Sequence, residues 1–320
     1  CNLSANNYHT LSFALNADAQ NLISGVYSDL KIKVVVNAPR LSSPYLIDNL
    51  VLAEDSSVDS DTGSEESGDT YTVVVKTPRS VTFEKTALSA TERLKIGANV
   101  KVESPWLGIS TITTLGVTDE KLGEPDADLG NLWSIGPADL GDRVRVRGSI
   151  YASSVTLGNG ATVDGTIVTD AVFEPAEELS WTVTFPTSGN DEVWLEPNES
   201  ATLSPGKYST VRVGPDATVE FSTGTYYLDT LIAEANSKIK LEQDKGPVIV
   251  YVRGNLVFRA NIETKNNDTP DWLLVYLGNG EVNFDKSFSG TVIAAASKLT
   301  LHSAHHIGAF FAKEIVVEAN

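Results

Sequence analysis

A short pattern recurs through the last two thirds of the chain and limits its fold more than any other feature. Leu94–Val102 (LKIGANVKV), Val155–Val163 (VTLGNGATV) and Val211–Val219 (VRVGPDATV) each hold a short strand, a turn of small or turn-forming residues, and a second strand alternating apolar and polar positions. Leu231–Ile239 (LIAEANSKI) and Val292–Leu301 (VIAAASKLTL) are looser versions. Each reads as a corner. The third and fourth lie 20 residues apart, the length of one short solenoid coil. Such a coil cannot bury its inward Val, Ile, Leu and Phe alone, so coils stack about 4.8 Å apart and the apolar positions form ladders. An all-β sandwich would favour two-residue Asn-Gly hairpins; Gly158-Asn159-Gly160 fits that, while Gly214-Pro215-Asp216 and Ala235-Asn236 fit it less well. The expected fold is all-β, a parallel β-helix (β-solenoid) over residues 71–320.

The chain ahead of it differs. His9–Asn16, Leu30–Asn37 and Pro44–Leu52 read as three half-buried strands, part of a sandwich whose apolar face needs a second sheet. Glu54–Thr70 holds seven acidic residues, no basic ones and almost nothing apolar, and reads as a solvated linker. Its acidity also suits loose calcium binding, without the ligand spacing of an EF-hand. The expected organisation is a partial sandwich at 1–53, an acidic linker at 54–70 and the solenoid at 71–320.

Two resemblances go with these segments. HTLSFAL, ISGVYSDLKIKVVVN and SPYLIDNLVL resemble the last three strands of jelly-roll, galactose-binding-like modules of secreted bacterial proteins. From Ala87 to Asn320, segments including ALSATERLKIGANVKV, LSWTVTFP, GPVIVYVRGNLVFRANI and HHIGAFFAKEIVVEAN resemble secreted or surface β-helix proteins of myxobacteria and related deltaproteobacteria, and more distantly polymer-forming bactofilins. The second resemblance implies a structural or adhesive role and supplies no catalytic residues.

Composition narrows the function. Forty-two acidic against 24 basic residues give a net charge of -18, which repels phosphate backbones and anionic membranes, so nucleic-acid binding is not expected. No apolar stretch approaches the roughly 18 residues of a transmembrane segment. Cys1 is the one cysteine, which excludes an intramolecular disulfide or thiolate zinc cluster, and methionine is absent. A leading cysteine also suits lipid attachment, as at the mature end of a bacterial lipoprotein.

Candidate chemistry is sparse. Arg143, Arg145 and Arg147 alternate with Val144 and Val146, so their side chains share the outer face of a strand. That stripe reads as a solvated face paired with Asp and Glu, although uronic-acid polymers would also find it attractive. His302, His305 and His306 are close enough to invite a zinc or copper reading, but their spacing on a strand or turn sends the rings to different faces. Asn266, Asn267, Asp268 and Asp271 form a polar loop whose oxygens suit calcium, and turn chemistry alone also explains them. Calcium is thus the one cofactor these residues suggest. Trp106, Trp133, Trp181, Trp194 and Trp272 offer either core packing or a sugar-stacking platform. No GxSxG, HExxH, P-loop or GxGxxG motif occurs.

These readings lead to the expectation of a non-catalytic structural protein, extracellular or at the bacterial cell surface. It would associate with itself into a filament or matrix through open β edges, with cell-surface or matrix polysaccharide as a further partner. Glu314–Asn320 (EIVVEAN) reads as a strand with no evident helical cap, which suits either coil-on-coil stacking or a further C-terminal piece. A glycan-binding adhesin and a polysaccharide-active β-helix enzyme are the alternatives.

Overall fold

The computed structural model describes residues 68–77, 86–102, 111–115, 122–169, 177–189, 191–264, 272–302 and 305–319. All lie in the second of the two units into which the chain divides, Cys1–Ser64 and Glu65–Asn320. The expected sandwich strands, most of the acidic stretch, Cys1, and the loop bearing Asn266, Asn267, Asp268 and Asp271 lie outside the described residues.

The described chain is all-β, a solenoid of about ten turns built from stacked parallel coils. Its first face is formed, in hydrogen-bonded order, by β15 (Gly206–Val213), β17 (Gly224–Ala233), β19 (Val248–Phe258), β21 (Trp272–Tyr276), β23 (Ser289–Leu301), β24 (Ile307–Val317), β2 (Thr86–Ile96), β3 (Thr111–Thr114), β5 (Asn131–Ser134), β8 (Ile150–Tyr151) and β11 (Ile167–Val168). The longest of these bend onto a second face, completed by β13 (Asp191–Leu195), β22 (Glu281–Phe284), β6 (Ala138–Leu140) and β9 (Val155–Leu157). The third face holds β14 (Ser200–Leu203), β16 (Thr218–Ser222), β18 (Lys238–Glu242) and β20 (Asn261–Thr264) towards one end, and β4 (Asp128–Leu129), β7 (Arg145–Val146) and β10 (Thr162–Val163) towards the other.

Two local devices turn each coil. Between the first and second faces, the single Asp229 of β17 opposes Arg253 and Gly254 of β19, a bulge that restarts the inward alternation on the next face. Gly254 is required there, because a Cβ would lie 2.4 Å from the Asp229 carbonyl oxygen. Between the second and third faces, one residue adopts the left-handed conformation. Asn99, Asp126, Arg143, Gly160, Asn198, Asp216 and Asn236 all fall between φ 56° and 72°, a region open to Gly and tolerated by Asn and Asp. Four of the five corners read from sequence are therefore present. The fifth, Val292–Leu301, is not a left-handed corner, since Ala294-Ala295-Ala296 offers no Gly, Asn or Asp; it lies within β23, whose register shifts between Ala294 and Lys298 where the strand passes from the first face to the second.

Coil order departs from chain order. The stack starts at β13, advances along the chain to β24, passes from β24 to β2, and advances again to β11. One ladder on the second face runs through both halves: Leu195, Val213, Ala233, Phe258, Phe284, Leu301, Val317, Ile96, Gly123, Leu140, Leu157. Residues 86–168 and 191–317 thus form two half-solenoids that meet at a non-covalent seam, and both advance in the same direction. The C-terminal strand is stacked coil on coil within the chain: β24 is paired on one side with β23 and on the other with β2.

β1 (Thr70–Thr77) and β12 (Glu177–Thr184) also depart from the continuous solenoid expected over 71–320, pairing antiparallel as a two-stranded ribbon. The ribbon lies on the outer side of the first face, where Val73, Val75, Val183 and Phe185 pack with Val275, Ile293 and Phe311. Phe185 contacts Tyr227 of β17 with ring centroids 5.4 Å apart, and Ser89 of β2 donates to the Lys76 carbonyl at 3.1 Å. From β17 to β2 is five steps of about 4.8 Å, roughly 24 Å, which matches the roughly 26 Å of an eight-residue strand. The ribbon therefore runs along the stack axis and straps the seam.

Candidate functional site

The ends of the stack are the candidate site. At the β9–β10–β11 rim, Leu157 and Ile167 are the last rungs of two inward ladders among the described residues. They are 39% and 42% exposed, whereas the rungs beneath, Leu140 and Ile150, are 2% and 0% exposed. Val155, Ala161 and Val163 complete a partly buried apolar floor. Among the described residues no strand pairs with the outer edge of these three strands.

The β13–β14 rim is different, since its inward rungs are little exposed. Leu195 and Leu203 are buried. The Glu199 carboxylate accepts a hydrogen bond from the Glu196 backbone N–H at 2.8 Å. The Tyr226 hydroxyl lies 2.8 Å and 2.9 Å from the Leu203 and Ser222 carbonyl oxygens, and burial pushes its pKa up. Tyr208 donates to the Ser204 carbonyl at 2.7 Å. Trp194 is 56% exposed, with the Arg212 guanidinium 4.7 Å over its ring.

Only Arg145 of the arginine stripe lies on the β7 strand; Arg143 takes the left-handed corner before it and Arg147 follows it, and the partners of all three are carboxylates. Arg143 pairs with Asp126 at 2.7 Å, Arg145 with Asp164 at 2.7 Å, and Arg147 with Asp128 at 2.5 Å. These hydrogen bonds hold the Asp126 and Asp128 carboxyls below the usual range. The histidines separate by role. His302 sits between Asp285 (3.4 Å) and Glu318 (2.8 Å), and the His306 ring bridges the Phe288 N–H and the His302 carbonyl. Among the described residues no group of three or more His, Cys, Asp or Glu is placed to hold a metal ion.

The tryptophans are dispersed. Trp272 is buried beside Phe258 and Phe288, Trp181 lies in the ribbon, and Trp194 marks a rim. Trp133 stacks on Tyr151 on the outer side of the first face, with centroids 4.1 Å apart and planes at 19°. Trp106 is outside the described residues.

Sequence reading missed Glu199, Arg253 and the rim residues as a set. A signal for the rims was present: the left-handed corner residue lies three positions after the second-face rung and two before the third-face strand in every such coil, from Leu195/Asn198/Ser200 to Leu157/Gly160/Thr162.

Set against protein-family models, curated proteins and solved structures, the chain matches none.

Proposed function

We infer that this protein is a non-catalytic structural solenoid that joins copies of itself through open β edges, forming a filament or matrix outside the cell or at a bacterial surface. The observation that carries this reading is the uncovered apolar rim ending in Leu157 and Ile167. An open coil of this kind recruits a further strand layer, because among the described residues its backbone groups and inward side chains lack the neighbour that internal coils have. The seam supports the same reading, since β24 and β2 stack in register without being consecutive in the chain. A single cysteine and no methionine suit an oxidising exterior, and the resemblance to surface β-helix proteins agrees with it.

The net charge of -18 opposes close approach of copies, so association should strengthen as salt screens it. Sedimentation velocity over a concentration series at low and high salt tests this. Growth of large species with concentration and salt is expected, and Ile167→Asp should abolish it while leaving the circular dichroism spectrum unchanged. A monomer under every condition would overturn the reading.

A second reading, a glycan-binding adhesin, draws on the stacked Trp133 and Tyr151 rings. Retention on immobilised acidic or neutral glycans, lost in Trp133→Ala, would favour it.

A further inference from the structure

We propose that the rim ending in Leu157 takes the β13–β14 rim of a second copy, in one defined register, and that the Glu199 carboxylate gates this junction. The proposal rests on the self-association read above and names its partner face.

The two end coils are of nearly equal length. Seventeen residues separate stacked positions at one end (Leu140 and Leu157) and 18 at the other (Leu195 and Val213), a coil length that recurs mid-stack at Leu273 and Thr291. Their corners have identical spacing. Placing Leu195 of a second copy over Leu157 therefore puts Asn198 over the left-handed Gly160 and Ser200 over Thr162. This continues the second-face ladder in the same direction, as the β24–β2 seam does within one chain. The contact is head-to-tail and does not close on itself, so it propagates as a fibre.

The backbone identifies the gate. At internal corners, the residue after the second-face rung donates its N–H to the preceding coil: Gly158 to Leu140 at 2.9 Å, Gly214 to Leu195 at 2.9 Å, and Gly97 to Val317 at 2.7 Å across the seam. At a junction the equivalent donor is Glu196, and its acceptor would be the Leu157 carbonyl of the neighbour. In the single chain that N–H is already held by Glu199 at 2.8 Å. Glu199 thus satisfies an edge donor that would otherwise template pairing, and it must swing away before a second copy can seat.

The test compares the critical concentration for assembly of the full chain with those of Glu199→Ala, Glu199→Gln and Glu192→Ala, read by sedimentation. Glu192 is an exposed acid of the same rim, so its removal reports charge relief alone. Glu199→Ala is expected to lower the critical concentration roughly tenfold beyond Glu192→Ala, with Glu199→Gln between them because the amide still accepts a hydrogen bond. Equal effects of Glu199→Ala and Glu192→Ala, or a raised critical concentration in Glu199→Ala, would overturn the gate while leaving Ile167-dependent assembly intact. No assembly of any variant, the unsubstituted chain included, overturns both the gate and the reading beneath it.

Discussion

Leu88 of β2 faces Phe310 of β24 across a parallel ladder, although one opens the described solenoid and the other lies near its end. Leu88 is 4% exposed and Phe310 3%, and Phe310 is also stacked on Val292 of β23, so the pair is interior to the core. Truncation there leaves a cavity at the junction of the two half-solenoids. Phe310→Ala is expected to cost about 3–5 kcal/mol, measured by chemical denaturation, and to speed amide exchange in β2 and β24 before the outer coils.

The order of coils is open to a direct chemical check. Lys95 and Val316 are paired neighbours across the seam, and paired strands bring Cα atoms within disulfide reach. Lys95→Cys with Val316→Cys is expected to form an intramolecular disulfide under mild oxidation, seen by peptide mapping. A chain whose coils stacked in sequence order would keep these thiols apart.

The ribbon is fastened by Arg253, which the β19 bulge turns outward. Its guanidinium bonds Asp229 at 2.6 Å, reaches Asp69 at the start of β1, and lies 4.7 Å over the Phe185 ring. Loss of a largely buried charged donor at such a place is worth about 1–3 kcal/mol. Arg253→Met is therefore expected to raise amide exchange in β1 and β12 while the coils beneath stay protected.

His306 sits just before β24, its ring held between the Phe288 N–H and the His302 carbonyl, and its protonation should mark the pH range of stability. Burial holds the His306 pKa below 6.5, against the opposing pull of the His302 carbonyl, and the positive charges of His305 and His302 lower it further. The unfolded chain therefore binds the proton more readily. The stabilisation is complete above the unfolded value and is lost as pH falls through the folded one. The denaturation midpoint is expected to fall between about pH 7 and pH 5, and His306→Gln should flatten that slope.

Much of the fold was legible in local chemistry. Alternating valines marked the strands, and Asn99, Gly160, Asp216 and Asn236 marked left-handed corners, because few residue types occupy that region at low cost. Arg143 occupies it too and so hid its corner. The antiparallel ribbon was not legible, since TVVV and SWTV alternate like any coil strand. Its place depends on contacts such as Val75 with Phe311, far apart in sequence. The seam was hidden for the same reason: a β-helix ladder fixes inward and outward positions but carries no label saying which coil follows which. The rim was hidden because Leu157 and Ile167 read as ordinary core residues until the last coil is known.

Electron microscopy of the purified chain at high concentration and moderate salt separates filaments from single particles. Head-to-tail stacking of a solenoid of about ten turns at about 4.8 Å per turn is expected to give unbranched filaments of constant width. Their axial repeat would be roughly 50 Å, and Ile167→Asp would leave only single particles. Isolated particles from the unsubstituted chain, or filaments that persist in Ile167→Asp, would contradict head-to-tail stacking.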